Sequence, residues 1–222
     1  FLGWLGGAAA RDDVRTAKYA QPWAVPPPGM HGPLARSSFS MLRPTDNLRA
    51  DHALVTRALR ALRAVGTHVR AGGTFPVDDT ATLLRFLREF VLAVHVPKEN
   101  ELVCPAVAMR ASDEAAHLVG ELMRVQEEVA ELTHCLVLFW EPLGELTAAE
   151  RDGFATTIDA LADRLLRLQR LEESELFPIC DDVVPADDQL DWVARFAQLE
   201  RDRGSRRDWS TRIEAIAKRW AA

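Results

Sequence analysis

His95-Val96-Pro97-Lys98-Glu99 places a histidine and a glutamate four positions apart. On an α-helix, residues at this spacing lie on one face, one turn from each other, so both side chains can reach the same metal ion. A second stretch, 168–178, has carboxylates at Glu172 and Glu173 and a proline at its end, but it contains no histidine. Together the two stretches predict a helical metal-binding site with part of its ligand set missing.

Apolar residues recur at three- and four-residue spacing from Thr45 onward, which is typical of amphipathic helices. We expect four long helices and two shorter ones, at about 46–66, 78–109, 112–140, 147–182, 188–203 and 205–219. Gly66 predicts the end of the first helix, and Pro97 predicts a kink or an early stop in the second. Four long helices with short loops predict an all-α fold: an antiparallel four-helix bundle in residues 45–185, with two extra helices in a C-terminal extension, 186–222.

The two halves of the predicted bundle resemble each other. Glu99 and Glu172 are each followed six residues later by a proline, and residues 51–55 on the first helix are similar to 125–129 on the third. This pattern indicates a duplicated helix pair.

Residues 1–44 have the composition of an extended arm. Six prolines and two glycines in 21–44 disfavour long helices and favour polyproline-like chain. The arm also contains Trp4, Trp23 and Phe39, which are residue types enriched at protein interfaces. We expect residues 1–44 to contact a protein partner; the alternative is that they fold back on their own bundle.

The first ten residues are apolar and rich in small side chains. They resemble the part of a twin-arginine export signal that follows the arginine pair, although the pair itself does not precede them in this chain. This resemblance predicts export to the periplasmic side and contact of residues 1–10 with a membrane surface. The alternative is an ordinary apolar arm on a cytoplasmic protein.

The net charge and the motifs of the sequence argue against several classes of function. The net charge of −6 and the absence of a basic stripe argue against a nucleic-acid partner. No uninterrupted apolar run of about 18 residues is present, so we expect no membrane-spanning helix. Since the sequence contains no nucleophile elbow, phosphate-binding loop or dinucleotide fingerprint, it indicates no catalytic residues.

His52, the His95-x-x-x-Glu99 pair and the Glu-Glu-x-x-Leu-Phe-Pro run from Glu172 resemble the hemerythrin-like (HHE cation-binding) family over roughly 46–182. The resemblance implies two irons inside the bundle, bound by histidines from all four helices and bridged by two carboxylates. By position, His52 and His95 match the histidines of one iron, and Glu99 and Glu172 match the bridging carboxylates.

By the same resemblance, the second iron lacks its histidine ligands. The positions that should supply its histidines hold Gln126, Ala130 and Leu168. An amide is a poor ligand for such a metal, and alanine and leucine cannot ligate. His134 lies about 12 Å further along the third helix than Gln126. A diiron centre is therefore not expected.

Two alternatives remain for the four retained residues. Either His52, His95, Glu99 and Glu172 bind one metal ion, iron or zinc, or the two histidines hydrogen-bond to the two glutamates and no metal is bound. Glu173 or Gln169 could enter the ligand set if the register of the fourth helix shifted by one residue.

These observations predict a non-enzymatic accessory or structural subunit. Its N-terminal arm would dock the bundle onto a larger, membrane-associated assembly, such as a bacterial electron-transfer complex. The alternative is a metal-binding hemerythrin-like protein, with one metal rather than two, that binds or senses oxygen or carries out redox chemistry.

Overall fold

All regular secondary structure is helical within residues 43–138 and 145–221, the part of the chain that the computed structural model describes. The helices are α1 (Pro44–Arg70), α2 (77–110), α3 (Asp113–Val137), α4 (148–183), α5 (Ala186–Arg203) and α6 (Arg206–Arg219). α4 packs between α1 and α3, and α2 packs against α3 and α1. This arrangement confirms the all-α bundle.

Side-chain caps fix where α3 and α4 begin. The Ser112 hydroxyl accepts a hydrogen bond of 3.4 Å from the backbone N–H of Ala115, at the start of α3. At the start of α4, Thr147 and Glu150 form a reciprocal pair in which each side chain accepts from the backbone N–H of the other, at 3.3 and 2.7 Å. Such caps satisfy amides that have no partner within the helix.

Of the two outcomes predicted at Pro97, a kink or an early stop, the early stop is wrong, because α2 continues through Pro97. α2 contains two wide π-helical segments, Leu87–His95 and Glu99–Val103. The backbone N–H of Val96 donates to the carbonyl of Val91, five residues back. Pro97 has no N–H for the Ala93 carbonyl, and Arg203 of α5 donates to that carbonyl at 3.0 Å.

α4 repeats this local structure in the second half of the bundle. Its segment Glu172–Leu176 is also π-helical, and like Glu99–Val103 it begins at a glutamate. In both helices an α-helical segment with a proline in its first turn follows, Cys104–Arg110 in α2 and Phe177–Val183 in α4. The glutamate-to-proline spacing seen in the sequence therefore marks the same backbone feature twice. Wide turns of this kind are frequent at functional sites.

The prediction that α1 ends at Gly66 is also wrong, because α1 continues to Arg70 and Gly66 lies inside it. A Cβ atom at Gly66 would lie 3.2 Å from Cδ1 of Ile158 and 3.5 Å from Cα of Ala155, both on α4. The glycine thus allows α1 and α4 to approach closely. The turn after α1 uses Gly72 instead, whose φ is +87°.

The C-terminal helices share the bundle's apolar core. α6 packs against α1 and α2, and α5 packs against the same two helices. Five of their apolar side chains are buried in that core: Trp192, Phe196, Trp209, Ile213 and Ile216. The domain boundary at 185–186 stays a prediction drawn from sequence pattern.

Several predictions concern residues outside this part of the structure. The arm, 1–44, lies outside the described residues except for Arg43 and Pro44. Its expected protein partner and the expected membrane contact of residues 1–10 therefore stay predictions. Among the helices described, none is both long enough and apolar enough to cross a membrane.

The close approach at Gly66 yields a stability prediction. Gly66→Val should lower the free energy of unfolding by about 1–3 kcal/mol, because its methyl groups would overpack the contact with α4. Gly120→Val is the matched control, since Gly120 lies within α3 with nothing within 4 Å of an added Cβ. The control should shift stability by about 0.5 kcal/mol or less. Urea unfolding of both variants measures the difference, and equal effects would contradict the close-contact account.

Candidate metal centre

The four predicted ligands come together inside the bundle. His52 lies on α1, His95 and Glu99 on α2, and Glu172 on α4. One potential ligand atom from each residue lies within 4.8 Å of the other three. None of the four residues is more than 4% exposed. The folded bundle thus assembles a compact, buried group of two imidazoles and two carboxylates from three helices.

The wide turns position the side chains from α2 and α4. His95 is the last residue of one π-helical segment, Glu99 is the first of the next, and Glu172 begins the equivalent segment of α4. His95 Nε2 lies 3.6 Å from Glu99 Oε1. His52 Nε2 lies 3.1 Å from Glu172 Oε2. Each histidine therefore directs Nε2 towards one of the two buried carboxylates.

Each histidine also contacts a carboxylate through its other ring nitrogen. Nδ1 of His52 lies 2.8 Å from Oε1 of Glu173, and Nδ1 of His95 lies 3.4 Å from Oδ2 of Asp51. An outer carboxylate of this kind fixes the ring orientation of a metal-binding histidine and makes its inner nitrogen more basic. Glu173, predicted as a substitute ligand, is thus placed as an outer partner of His52.

Gln169, the other predicted substitute, also lies outside the group. Its side-chain oxygen accepts a hydrogen bond of 3.0 Å from the Thr56 hydroxyl. Its amide nitrogen donates to the His52 carbonyl at 3.4 Å. Gln169 therefore ties α4 to the backbone of α1 beside the site.

Buried atoms without a hydrogen-bond partner concentrate at the centre. Seven such side-chain atoms occur in the described residues. Four of them belong to this group, namely His52 Nε2, Glu99 Oε1 and both carboxylate oxygens of Glu172, and a fifth is Oε1 of the neighbouring Gln126. The close His52–Glu172 approach is an ion-pair distance without hydrogen-bond geometry. Each unsatisfied buried polar group costs about 1–3 kcal/mol. Unpartnered oxygens and an unpartnered imidazole nitrogen at such short separations are compatible with ligands around a cation.

Burial and neighbouring charges shift the pKa values of these residues. Burial raises the pKa of Glu99 well above its ordinary value, and the negative charge of Glu172 raises it further. Burial lowers the pKa of His95, which favours the neutral imidazole; the hydrogen bond to Asp51 opposes this effect and the neighbouring His52 adds to it. For His52, burial alone would lower the pKa, but the carboxylates of Glu172 and Glu173 raise it overall. A divalent cation would let both buried glutamates ionise.

In the other half of the bundle, the positions equivalent to His52 and His95 hold no histidine. Gln126 on α3 donates from its amide nitrogen to Glu99 Oε2 at 2.9 Å, in the position related by the repeat to His52 beside Glu172. Leu168, one turn before Glu172, is buried and apolar. Ala130 cannot ligate, and His134 is exposed on the surface of α3. The Gln126 amide therefore already uses one of the two Glu99 carboxylate oxygens.

Asp51 and Lys98 are two residues of the site to which the sequence analysis gave no role. Both are fully buried. Lys98 Nζ donates to Oδ2 of Asp51 at 2.8 Å, and the same oxygen faces Nδ1 of His95. Their only sequence signal is that each charged residue directly precedes a candidate ligand, His52 or Glu99.

A surface cavity adjoins the outer side of His52. Its volume is about 310 Å³, and it is lined by Arg49, His52, Ala53, Thr56, Arg57, Arg60 and Glu173. His52 and the half-exposed Glu173 both line this cavity, and they contact each other through Nδ1 of His52. The cavity therefore borders one candidate ligand on its Nδ1 side, between residues of α1 and Glu173 of α4.

Comparison with known protein families agrees with the geometry. The model of the hemerythrin HHE cation-binding domain matches residues 43–180. This match spans α1 to α4 up to the last turn of α4, and it includes all four candidate ligands. Searches of curated proteins and of solved structures found no match.

The buried carboxylates yield opposite predictions for stability and metal binding. Glu99→Gln should stabilise the metal-free chain by about 1–3 kcal/mol, because it removes an acidic group buried beside Glu172. The same change should abolish metal binding. Glu101→Gln is the control, since Glu101 is exposed in the same π-helical segment.

Urea unfolding in the presence of a chelator, followed by zinc titration, measures both effects. The control should leave both quantities unchanged. A Glu99→Gln variant that is less stable than the parent when metal-free would show that Glu99 serves the fold and not the ion.

Proposed function

Since the chain belongs to the hemerythrin HHE cation-binding family, we propose that it binds one divalent transition metal ion, iron or zinc, between His52, His95, Glu99 and Glu172. One observation carries this proposal. Two imidazoles, each contacting an outer carboxylate through Nδ1, direct Nε2 at two buried glutamates, and three of the four carboxylate oxygens of these glutamates lack a hydrogen-bond partner.

The dimensions suit a single ion. Bonds of about 2.0–2.2 Å from a metal to nitrogen and oxygen place its ligand atoms up to about 4.4 Å apart. The four candidate atoms lie within 4.8 Å of one another, so closure needs only small side-chain shifts. Two imidazole nitrogens with carboxylate oxygens suit iron(II) and zinc(II) alike.

A second ion is disfavoured by three positions. Gln126 already donates to Glu99, Leu168 presents only hydrocarbon, and Ala130 has no ligand atom. The proposed site therefore differs from the paired-iron arrangement that the family resemblance implies. Iron bound here would supply redox chemistry and affinity for a small ligand such as oxygen, whereas zinc would link α1, α2 and α4.

Within that chemistry, the residues of this chain bind, orient and shield the ion. Glu173 and Asp51 orient the two histidines, and Gln126 neutralises part of the charge on Glu99 through its amide. Phe177 stacks on the His52 ring with centroids 5.5 Å apart and covers that ligand. We propose that the function is metal-dependent binding, sensing or redox at one shielded centre.

Metal counting tests the proposal. After chelator treatment, the full chain dialysed anaerobically against iron(II), or against zinc(II), should retain about one ion per chain, as four ligands of one site require. His95→Ala should lose this ion. His117→Ala is the matched control, because His117 is exposed at the start of α3, and it should keep the ion.

A variant with two added histidines tests the number of metal ions per chain further. Gln126→His combined with Leu168→His restores two nitrogen donors and should raise the count towards two irons per chain. No retained metal in the parent, or two ions in the parent, would contradict the proposal.

The accessory-subunit role is a second proposal, favoured by the composition of residues 1–44. Prolines with interspersed Trp4, Trp23 and Phe39 suit docking onto a protein partner in a membrane-associated assembly. This role is compatible with a bound metal, since the arm and the centre use different residues. It retains the expectation of an exported protein, with a cytoplasmic one as the alternative.

Limited trypsin digestion of the isolated full chain tests the docking role. The proposal predicts rapid cleavage after the basic residues of the arm, such as Arg15, Lys18 and Arg36, while the bundle stays intact. An arm that resists trypsin in the isolated chain would be folded on its own bundle, and the docking role would lose its support.

A further inference from the structure

Asp51 connects the candidate ligand His95 to the C-terminal helices. Its Oδ2 atom lies 3.4 Å from Nδ1 of His95 and accepts a hydrogen bond of 2.8 Å from Lys98. Its Oδ1 atom accepts a hydrogen bond of 2.6 Å from Arg206, near the start of α6. Both oxygens of this fully buried carboxylate are thus held by cations, with one directed at the histidine.

Lys98 forms the second link, to α5. Its ammonium donates to Asp51, to the Asn47 side-chain oxygen at 2.8 Å and to Glu200 of α5 at 2.7 Å. These three hydrogen bonds use all three of its donors. Arg206 also donates to the Asn47 carbonyl at 2.9 Å. The network therefore joins α1, α2, α5 and α6 beside the candidate site.

The charges in this network balance. Asp51 and Glu200 carry two negative charges, and Lys98 and Arg206 carry two positive ones. The carboxylate facing His95 is therefore neutralised by side chains and does not depend on a metal ion for compensation. Burying one of these charges without its partners would be costly, so the geometry of Asp51 is strongly constrained.

Two of these residues lie beyond the matched domain. The family match ends at residue 180, whereas Glu200 and Arg206 belong to α5 and α6. No candidate ligand lies on these two helices. Within this network their contribution reaches the centre through Asp51 and Lys98, and Arg203 of α5 also contacts the Ala93 carbonyl of α2.

We propose that α5 and α6 set the metal affinity of the centre, because Arg206 and Glu200 hold Asp51 and Lys98 so that His95 presents Nε2 to the ion. Asp51 and Arg206 are positioning residues in this account. The inference rests on the proposed function, since it takes His95 as a ligand. Coupling between two sites is reciprocal, so metal binding should in turn stabilise the docking of α6.

Arg206→Gln and Arg207→Gln in the full chain form the test pair. The two arginines are neighbours on α6, but Arg207 is exposed and Arg206 contacts Asp51. Cobalt(II), followed by its visible absorption in competition with a chelator at one fixed pH, reports affinity and coordination. Arg206→Gln should weaken cobalt binding about 10-fold, the usual effect of losing support behind a ligand, whereas Arg207→Gln should match the parent.

Asp51→Asn should weaken binding by about 10–100-fold. If this variant fails to fold, Arg206→Gln still decides the question, since it keeps the Lys98–Asp51 pair. Urea unfolding without metal separates a general loss of stability from a specific loss of affinity.

Hydrogen exchange supplies a readout that a purely structural role would not change. Cobalt should slow amide exchange in α6 of the parent and of Arg207→Gln, and it should have little effect on α6 in Arg206→Gln. Equal cobalt affinities for the two arginine variants would overturn this inference while leaving the proposed function standing. A parent chain that binds no cobalt would contradict both.

Discussion

Two carboxylates, Glu99 and Glu172, lie buried within one bundle. Because water does not surround them, the negative charge of each carboxylate must be balanced by neighbouring groups. Burial and mutual repulsion oppose their joint ionisation. Part of the compensation comes from the protein: Gln126 donates to Glu99, and His52 approaches Glu172 at 3.1 Å. The carboxylate oxygens left without partners indicate that positive charge would be favourable among His52, His95, Glu99 and Glu172. The candidate metal centre coincides with this incompletely balanced negative charge.

The two similar halves of the bundle differ in the side chains that they place beside the buried carboxylates. Both halves of the bundle supply a glutamate at the start of a π-helical segment, with a proline six residues later. The His52 position is matched by Gln126 and the His95 position by Leu168, so one half keeps nitrogen ligands and the other offers an amide and a hydrocarbon side chain. The two halves thus share local backbone features but differ in the side chains at the centre. The helices beyond the matched domain brace the half that keeps its ligands, through Asp51.

Local sequence rules predicted the elements that depend on local physics. Periodicity located the helices, and the four-residue spacing of His95 and Glu99 located two candidate ligands on one helix face. The same rules failed where they predicted a helix end at Gly66 and, as one of two alternatives, an early stop at Pro97, because tertiary contacts override local preference there. Close packing against Ile158 retains the glycine inside α1, and a wide turn together with the Arg203 contact accommodates the proline. The Asp51–Arg206 contact joins residues 155 positions apart, and no periodic pattern could indicate it.

Anomalous X-ray diffraction from crystals of the metal-loaded full chain, at the absorption edge of iron or zinc, tests the central claim most directly. The account predicts one anomalous peak per chain, within bonding distance of His52, His95, Glu99 and Glu172, with the Gln126 amide still on Glu99. Two peaks bridged by Glu99 and Glu172, or a peak held by other side chains, would contradict it.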